Sequence, residues 1–390
     1  MRAPQFLGLA CCLASGCLIN VDYSGSTFTC EDSPECPEGF VCDQGQCRNP
    51  VDLACSDDWF NCEFSRRTPL SFDHREGVED LVDFPVLVRV DSSVIDHDQT
   101  NDDGSDLRFV DETGNVLAHE IERWDETSGS AVWVKLPVLP AGEVTTLYMY
   151  YGNSEAADTQ DRTAVWDERF VAVYHLGGAI DAPHRDSTVN ANAGTSIGMA
   201  AEASSPGFTG GAVTFDGVDD WIEIPHSDSL AIPGDQVTLS AWINPSAVQV
   251  SDAGIVVKST DGAGYDLQLG VQTGNSPNFR VFTEAQTYLT GPTVLPTDQW
   301  QFLAGVYDGS QARVIVDGAV DATEAQAGNL TVNTDPVVIG RRELGDERFF
   351  IGSIDEVRIS NVARSQDWLT TSFRSMTGAL LTIGAEQTRE

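Results

Sequence analysis

Carboxylates are the side chains of this chain most able to do chemistry, since it carries 60 acidic residues against 22 basic ones and only six histidines. Hydrolysis of a glycosidic bond needs two carboxyl groups that face each other across the substrate. Asp355 and Glu356 are the nearest pair to such an arrangement, but neighbouring residues of a β-strand point to opposite faces. The pair therefore cannot act on one substrate, and we predict that the protein has no catalytic residues.

The histidines do not fit the common catalytic motifs either. They occupy positions 74, 97, 119, 175, 184 and 226. None follows a nucleophile-elbow or metalloprotease pattern, and His119-Glu120 lacks the second histidine of a zinc protease. We therefore expect a protein that is not an enzyme. The alternative is a polysaccharide-acting glycosidase or its accessory module.

The nine cysteines all lie within the first 62 residues, and their positions indicate export. Cys11 and Cys12 belong to an apolar run at residues 6–13, which is shorter than the roughly 20 residues that span a membrane and is typical of a secretion signal. Cys17 follows the sequence LASG, which resembles the lipobox cleaved by the bacterial lipoprotein signal peptidase. We predict a signal peptide at residues 1–16 and a lipid anchor on Cys17, with ordinary signal cleavage as the alternative.

The remaining cysteines form an even set in a segment too short to build its own core. They are Cys30, Cys36, Cys42, Cys47, Cys55 and Cys62. We expect three disulfides in a stalk at residues 17–62. Many connectivities are possible, and we favour two crossed bridges among the first four cysteines and a local bridge between the last two. A zinc site is the alternative, but the stalk lacks a Cys-x2-Cys pair.

The elements that must hold the other residues in place are short β-strands. Residues 63–162 alternate apolar and polar side chains in short runs bounded by turn residues, which predicts a β-sandwich. The runs DLRFVD (106–111), VWVK (132–135) and YMYYGN (148–153) resemble the bacterial domain of unknown function 2341. Trp124 and Trp133 lie in this pattern. We expect both in the core, although each could also stack on a sugar.

Two later runs carry a second resemblance. They are FDGVDDW at residues 215–221 and FIGSIDEVRI at residues 350–359. Both resemble the signature strands of the laminin G-like branch of the concanavalin A-like jelly rolls, which implies an antiparallel jelly roll over residues 163–390 with its last strand at 380–385. The expected fold class is therefore all-β: two β-sandwich domains, the C-terminal one a concanavalin A-like jelly roll, after a small disulfide-rich N-terminal stalk.

A structural Ca²⁺ ion is the cofactor that this resemblance implies. Calcium takes oxygen ligands, often from loops that a fold brings together. The loop DSTVNANAG at residues 186–194 is similar to a loop near the start of such domains, and the aspartates of the two signature runs often lie near calcium in the family. The residues implied as ligands are Asp186, Asn190, Asn192, Asp216 and Asp355. The alternative is that they only form Asx-turns and tight turns.

The net charge of −38 repels phosphate backbones, so nucleic acid is not an expected partner. Leu18 differs from the aspartate that retains bacterial lipoproteins at the inner membrane, which implies an outer-membrane lipoprotein, periplasmic or surface-exposed. We expect an exported, lipid-anchored, non-catalytic protein that binds a glycan or a cell-surface protein through its jelly roll. A purely structural envelope protein is a further alternative. No pattern in the sequence assigns the ligand-binding residues.

Overall fold

β-Strands form most of the computed structural model, which describes residues 41–43, 46–48, 59–260, 262–270, 274–284, 286–342 and 348–389. The chain divides between Cys62 and Glu63 into two compact units. The first unit contains a hairpin of strands β1 (Val41–Asp43) and β2 (Gln46–Arg48), in which Cys42 and Cys47 are Cα partners.

Most of the N-terminal predictions lie outside the described residues. These are the signal peptide, the lipid anchor on Cys17, and the cysteines Cys30, Cys36 and Cys55. Cys62 is disulfide-bonded, and the pairing of the stalk cysteines stays a prediction. Among the described residues, no helix combines the length and the apolar composition that crossing a bilayer requires.

The second unit begins with the strands of a first sandwich. They are β3 (Arg66–Asp73), β4 (Leu81–Val90), β5 (Arg108–Asp111), β6 (Val116–Leu117), β7 (His119–Arg123), β8 (Ser130–Leu139) and β9 (Val144–Tyr151). A short helix, α1 (Arg162–Val165), follows. Strands in the next part of the chain are β10 (Phe170–Tyr174), β11 (Thr195–Ile197), β12 (Ser204–Pro206), β13 (Gly211–Asp216), β14 (Trp221–Ile224), β15 (Val237–Pro245), β16 (Ala253–Thr260) and β17 (Ala263–Leu269).

The remaining elements complete the C-terminal half. They are β18 (Pro277–Phe282), β19 (Gln286–Thr290), β20 (Gln301–Tyr307), β21 (Gln311–Val316), β22 (Ala319–Ala325), β23 (Val337–Ile339), β24 (Ile351–Ser360), helix α2 (Gln366–Met376), β25 (Leu381–Ile383) and β26 (Gln387–Thr388).

The strands form two antiparallel sandwiches. In the first, a sheet ordered β25-β3-β9-β5-β6, with β26 also paired to β3, accompanies a sheet ordered β4-β8-β7. In the second, the jelly roll, a sheet ordered β12-β13-β24-β15-β20-β21-β22, with β10 paired to β24, accompanies a sheet ordered β11-β14-β23-β16-β17-β18-β19. The prediction of an all-β fold with two sandwiches is confirmed.

The two sandwiches share a hydrophobic core. On β15, Leu239 and Ile243 belong to the interior of the jelly roll, whereas Trp242 points to the opposite face and belongs to the core that contains Trp133 of the first sandwich. Phe302 on β20 lies on the same side, with its ring centroid 5.7 Å from that of Trp242. The eight-stranded sheet is therefore covered on both faces, on one of them by the first sandwich.

The predicted burial of the two tryptophans of the first sandwich is confirmed for Trp133, which is fully buried. Trp124 is half-buried and packs against the shared core from its edge.

The C-terminal segment joins the two sandwiches. Helix α2 begins after Ser365, whose Oγ accepts a hydrogen bond from the backbone nitrogen of Trp368 at 3.0 Å, as expected for an N-cap. The Trp368 ring lies edge-on against Phe84 of β4 at 4.8 Å. Strand β25 then pairs with β3. The expectation that residues 380–385 form a strand of the jelly roll is therefore wrong, because this segment completes a sheet of the first sandwich.

Candidate functional site

The loop expected to bind calcium is a closed network of hydrogen bonds around Asp186. Its Oδ1 accepts from the backbone nitrogens of Val173 and Thr188 at 3.0 and 2.9 Å. Its Oδ2 accepts from the Thr188 hydroxyl at 3.0 Å and from the backbone nitrogen of Asn192 at 2.9 Å. These four bonds occupy the lone pairs of the carboxylate with protein donors. This is the arrangement of the Asx-turn alternative.

Asn190 and Asn192 dock the same loop on β10. The side-chain amide of each donates to the carbonyl of Val171, at 3.1 and 3.0 Å respectively. The hydroxyl of Ser227 donates to Oδ1 of Asn192 at 2.6 Å. The structure therefore brings three of the five predicted calcium ligands into one loop, where they stabilise the loop itself.

The other two predicted ligands lie elsewhere. Asp216 is exposed at the end of β13, where its carboxylate and those of Asp219 and Asp220 come within 4.8 Å of one another. Its Oδ1 accepts from the backbone nitrogen of Val218 at 2.8 Å. Asp355 is fully buried in β24. The five residues thus occupy three places, and calcium binding stays a prediction.

A cluster of buried ionisable side chains lies where the two sandwiches meet. Its members, called the junction cluster below, are Glu120, Glu122, His175, Asp355, Glu356 and Arg358. The first two come from β7 of the first sandwich, and the other four come from β24 and the residue after β10. The cluster therefore connects the sandwiches through charge as well as through apolar packing.

His175 is the centre of the junction cluster. Its Nδ1 lies 2.5 Å from Oε1 of Glu356 and 3.7 Å from Oε2 of Glu122. Its Nε2 lies 3.4 Å from Oε2 of Glu120. One imidazole thus faces three carboxylates, two from the first sandwich and one from the jelly roll.

Glu356 lies in a β-bulge that changes the direction of its side chain. Its φ is 52°, in the left-handed region that few non-glycine residues adopt, and the pairing of β15 with β24 shifts register between Ser240 and Trp242. Thr209 consequently contacts both carboxylates: its backbone nitrogen donates to Asp355 at 3.0 Å and its hydroxyl to Glu356 at 3.2 Å. The expectation that these two carboxylates point to opposite faces is wrong, because a bulge breaks the alternation of the strand.

Arg358 balances the charge of Glu356. Its Nη2 donates to Oε2 of Glu356 at 2.6 Å. Its guanidinium carbon lies 4.4 Å from the ring centroid of Trp133 and 4.9 Å from that of Trp166. Cation–π contacts of this kind add to the attraction within a desolvated ion pair. The jelly roll therefore places a cation directly against an aromatic side chain of the first sandwich.

Burial and neighbouring charges move the pKa values of the junction cluster apart. Burial, followed by repulsion from Glu356, raises the pKa of Glu122 to about 7. Burial, again with repulsion from Glu356, raises the pKa of Asp355. Burial acts in the same direction on Glu356, but His175 and Arg358 outweigh it and lower the pKa of Glu356 to about 2. Burial lowers the pKa of His175, but the three carboxylates raise it well above its ordinary value.

We expect the stability contributed by Glu122 to fall as the pH rises. Its pKa in the folded chain is about 7, above its ordinary value of 4.5, so its contribution is present below pH 4.5 and is lost as the pH rises through 7. The loss amounts to roughly 3 kcal/mol. Urea unfolding of the wild type and of Glu122→Gln in a chelating buffer will measure it, since the wild type should lose stability relative to the variant over this range. A difference that stays constant between pH 4.5 and 8 would contradict this assignment.

Only part of the junction cluster reaches open space. Glu122 lines a cavity of about 270 Å³ together with Arg123, Gly177 and Gly211. The side chain of Glu356 is fully buried, and its oxygens are engaged by the neighbours described above. Chemically, the arrangement can hold protons or a cation. An acid and a base acting on one substrate would both have to reach the cavity.

The junction cluster was not predicted, although the sequence carries a signal for it. Arg358 follows Glu356 by two residues and lies between Val357 and Ile359, and Glu120 and Glu122 alternate with Ile121 in a strand pattern. Charged residues are almost never fully buried unless they are paired. Charges inside predicted core strands therefore indicate buried partners, but the sequence does not say which distant segments supply them.

Comparison with known families agrees with the fold. Residues 216–370 match the family model of the concanavalin A-like lectin/glucanases superfamily, and residues 103–176 match that of the domain of unknown function 2341. Both resemblances expected from the sequence are thereby confirmed. The second match continues beyond the first sandwich into β10. No curated protein matches the chain.

Several solved structures are similar to part of this chain. Domain 4 of AbnA, a GH43 extracellular arabinanase from Geobacillus stearothermophilus, in complex with arabinotriose, is 20% identical with a TM-score of 0.43, over 52% of this chain and 98% of that one. The binding domain of Paraclostridial Mosquitocidal Protein 1 is 12% identical with a TM-score of 0.44, over 53% of this chain and 52% of that one. The binding domain of botulinum neurotoxin DC in complex with rat synaptotagmin II is 10% identical with a TM-score of 0.43, over 54% of this chain and 52% of that one. The chain thus spans about half the length of the last two.

Proposed function

We propose that this protein is an exported, lipid-anchored, non-catalytic binding protein whose jelly roll holds a glycan or protein ligand at the cell envelope. The observation that carries the proposal is a polar cavity of about 350 Å³ beside the loop at residues 186–194. We call it the rim cavity. Cavities of several hundred Å³ are the usual size of small-ligand sites.

The lining of the rim cavity suits a ligand rich in hydroxyl groups. Its carboxylate and amide side chains are Glu168, Asn190, Asp228, Asp235, Gln236 and Asn361. Carboxylates accept hydrogen bonds and amides both donate and accept them, which together match the donor and acceptor pattern of a sugar. This lining favours a glycan over an apolar ligand.

The backbone beside the rim cavity is also unusual. Ile232, which contributes to the lining, has a φ of 21°, and strained non-glycine residues cluster at functional sites. Its side chain is buried, which holds the segment that carries Asp228 and Asp235 in place. The cavity is thus formed by a constrained segment.

The geometry of the junction cluster favours binding over catalysis. An enzyme is the second candidate, because Glu122 with a raised pKa and Glu356 with a lowered pKa resemble an acid and base pair. Glu122 lines a cavity, however, whereas the side chain of Glu356 is fully buried and enclosed by Thr209 and Arg358. If the protein releases reducing sugar from polysaccharides and Glu122→Gln abolishes that release, the result would support the enzyme hypothesis instead.

The binding proposal is tested on the full-length chain in detergent with glycan and protein arrays. The variant Asp228→Ala/Asp235→Ala should lose about tenfold or more in affinity for the ligand found, because a hydrogen bond to a charged group contributes about 1.5–3 kcal/mol. Glu112→Ala, an exposed acidic residue in the turn between β5 and β6, is the matched control and should bind as the wild type does.

Three outcomes separate the alternatives. Binding that survives the double substitution would contradict the rim cavity as the site. A folded chain that binds no glycan or protein would favour a purely structural envelope protein. Calcium added after chelation should raise the melting temperature if the ion supports the loops of the jelly roll, and an unchanged melting temperature would contradict the calcium proposal.

The anchor is tested separately. Metabolic labelling with a clickable fatty acid should mark the wild-type chain and not Cys17→Ala, since the acyl chains of a lipoprotein are attached at that cysteine. Equal labelling of the two chains would refute the lipid anchor and leave ordinary signal cleavage.

A further inference from the structure

Three side chains of the junction cluster converge as metal ligands would. The Nδ1 of His175 and single carboxylate oxygens of Glu122 and Glu356 all lie within 4.8 Å of one another. Ligands about 2.0–2.1 Å from a tetrahedral zinc ion lie roughly 3.4 Å apart. The distances from Nδ1 to Glu356 (2.5 Å) and to Glu122 (3.7 Å) are on either side of that value. Shifts of about an ångström would complete the geometry.

The remaining contacts of His175 orient the ring for this role. Its Nε2 faces Oε2 of Glu120 at 3.4 Å. Glu120 is itself held by the hydroxyl of Ser187 at 2.6 Å and by the indole nitrogen of Trp166 at 2.9 Å. Histidines that bind a metal usually direct their other ring nitrogen to a carboxylate held in this way. Nδ1 is thereby left directed towards Glu122 and Glu356.

The carboxylates are oriented by neighbours as well. The indole nitrogen of Trp133 donates to Oε2 of Glu122 at 2.9 Å. The hydroxyl of Thr209 lies 3.0 Å from Oε1 of Glu122 and 3.2 Å from Oε1 of Glu356. A small polar group therefore already lies between the two carboxylates, where a fourth ligand would be needed. Of these side chains, Glu122 also lines a cavity of about 270 Å³.

The charges at the junction also favour a cation. Four carboxylates, those of Glu120, Glu122, Asp355 and Glu356, meet there. Facing them are His175, Arg358 and, more distantly, Arg89, whose guanidinium donates to the carbonyls of Phe208 and Met376. The carboxylates thus outnumber the cationic side chains around them. Buried negative charge is costly unless it is compensated, and a divalent ion bound between the carboxylates would compensate it.

From this geometry we propose that Glu122, His175 and Glu356 form a binding site for a zinc-class divalent transition metal at the junction of the two sandwiches. One imidazole and two carboxylates form a donor set suited to zinc, whereas calcium prefers oxygen ligands alone. Because Glu122 comes from the first sandwich and the other two ligands from the jelly roll, the metal links the sandwiches. The site is separate from the rim cavity and does not depend on the function proposed for it.

The experiment is calorimetric titration of the full-length chain, stripped of metal with a chelator, with Zn²⁺, and with Ca²⁺ and Mg²⁺ as comparison ions. We expect one Zn²⁺ per chain and much weaker binding of the other two ions. Glu122→Gln should weaken Zn²⁺ binding by about tenfold or more. This variant keeps the size of the side chain and the acceptor for Trp133, so it should fold, and circular dichroism will verify that. His175→Gln is the second variant, with the same expected result.

The matched control is Asp216→Asn, at the exposed end of β13, where three carboxylates also converge. It should bind Zn²⁺ as the wild type does. The proposal is overturned if the wild-type chain does not bind Zn²⁺ at micromolar concentrations, if a folded Glu122→Gln variant binds it unchanged, or if Asp216→Asn removes the binding instead. Supporting results would also include a Zn²⁺-dependent rise in melting temperature that Glu122→Gln abolishes.

Discussion

A fragment of residues 165–390, which holds the jelly roll but lacks β3–β9 of the first sandwich, is expected not to fold into a stable monomer. In the whole chain the outer face of its eight-stranded sheet, including Trp242 and Phe302, belongs to the core shared with the first sandwich. Exposing each large side chain costs about 1.5–3 kcal/mol, and several are exposed at once, against a typical domain stability of about 5–15 kcal/mol. Size-exclusion chromatography and thermal unfolding should show aggregation and no cooperative transition.

The control for this result is the chain of residues 63–390, which keeps both sandwiches and omits only the first compact unit. It should be monomeric and unfold cooperatively. If the fragment of residues 165–390 instead unfolds cooperatively near the melting temperature of the longer chain, the shared core contributes little and the two sandwiches are independent domains. Ligand-binding experiments should for this reason use a chain that contains both sandwiches.

Replacing Arg358 by alanine is expected to lower the free energy of unfolding by about 3–5 kcal/mol, the usual cost of removing one partner of a buried ion pair. The substitution leaves Glu356 ionised and fully buried, since the carboxylate loses its 2.6 Å contact. It also removes the contacts with Trp133 and Trp166. Denaturant unfolding at pH 7 will measure the change.

Two further variants isolate the cause. Arg358→Ala/Glu356→Gln should recover part of the lost stability, because the buried charge that Arg358 balanced is gone. Arg75→Ala removes the cation of an exposed pair with Asp73 and should leave stability essentially unchanged, since exposed ion pairs contribute little. A loss no larger in Arg358→Ala than in Arg75→Ala would mean that the junction cluster does not hold the sandwiches together.

Much of the fold was predictable because it depends on local patterns. Alternating runs such as residues 132–135 predicted strands, and the motifs at residues 215–221 and 350–359 predicted the jelly roll. The N-cap of α2 at Ser365 is likewise a local feature. Each of these features depends on neighbours along the chain, such as side-chain alternation or a capping hydroxyl, and not on distant contacts.

The candidate site was less predictable, because its geometry depends on distant pairing. The direction of the Glu356 side chain follows from a bulge between β15 and β24, and no local pattern of residues 350–359 indicates it. The loop at residues 186–194 was expected to bind calcium, which stays a prediction, and which donors saturate Asp186 depends on β10 packing beside it.

The amino-acid sequence was sufficient to establish that this is an acidic, strand-rich chain with two sandwiches, because composition and alternation are properties of each segment. Only the folded chain decided that one core serves both sandwiches, that the C-terminal strand pairs with β3, and that six ionisable side chains meet at the junction. Alternation specifies that a strand has two faces. The segments that cover the second face lie far away in the sequence. They reach that face only when the whole unit packs.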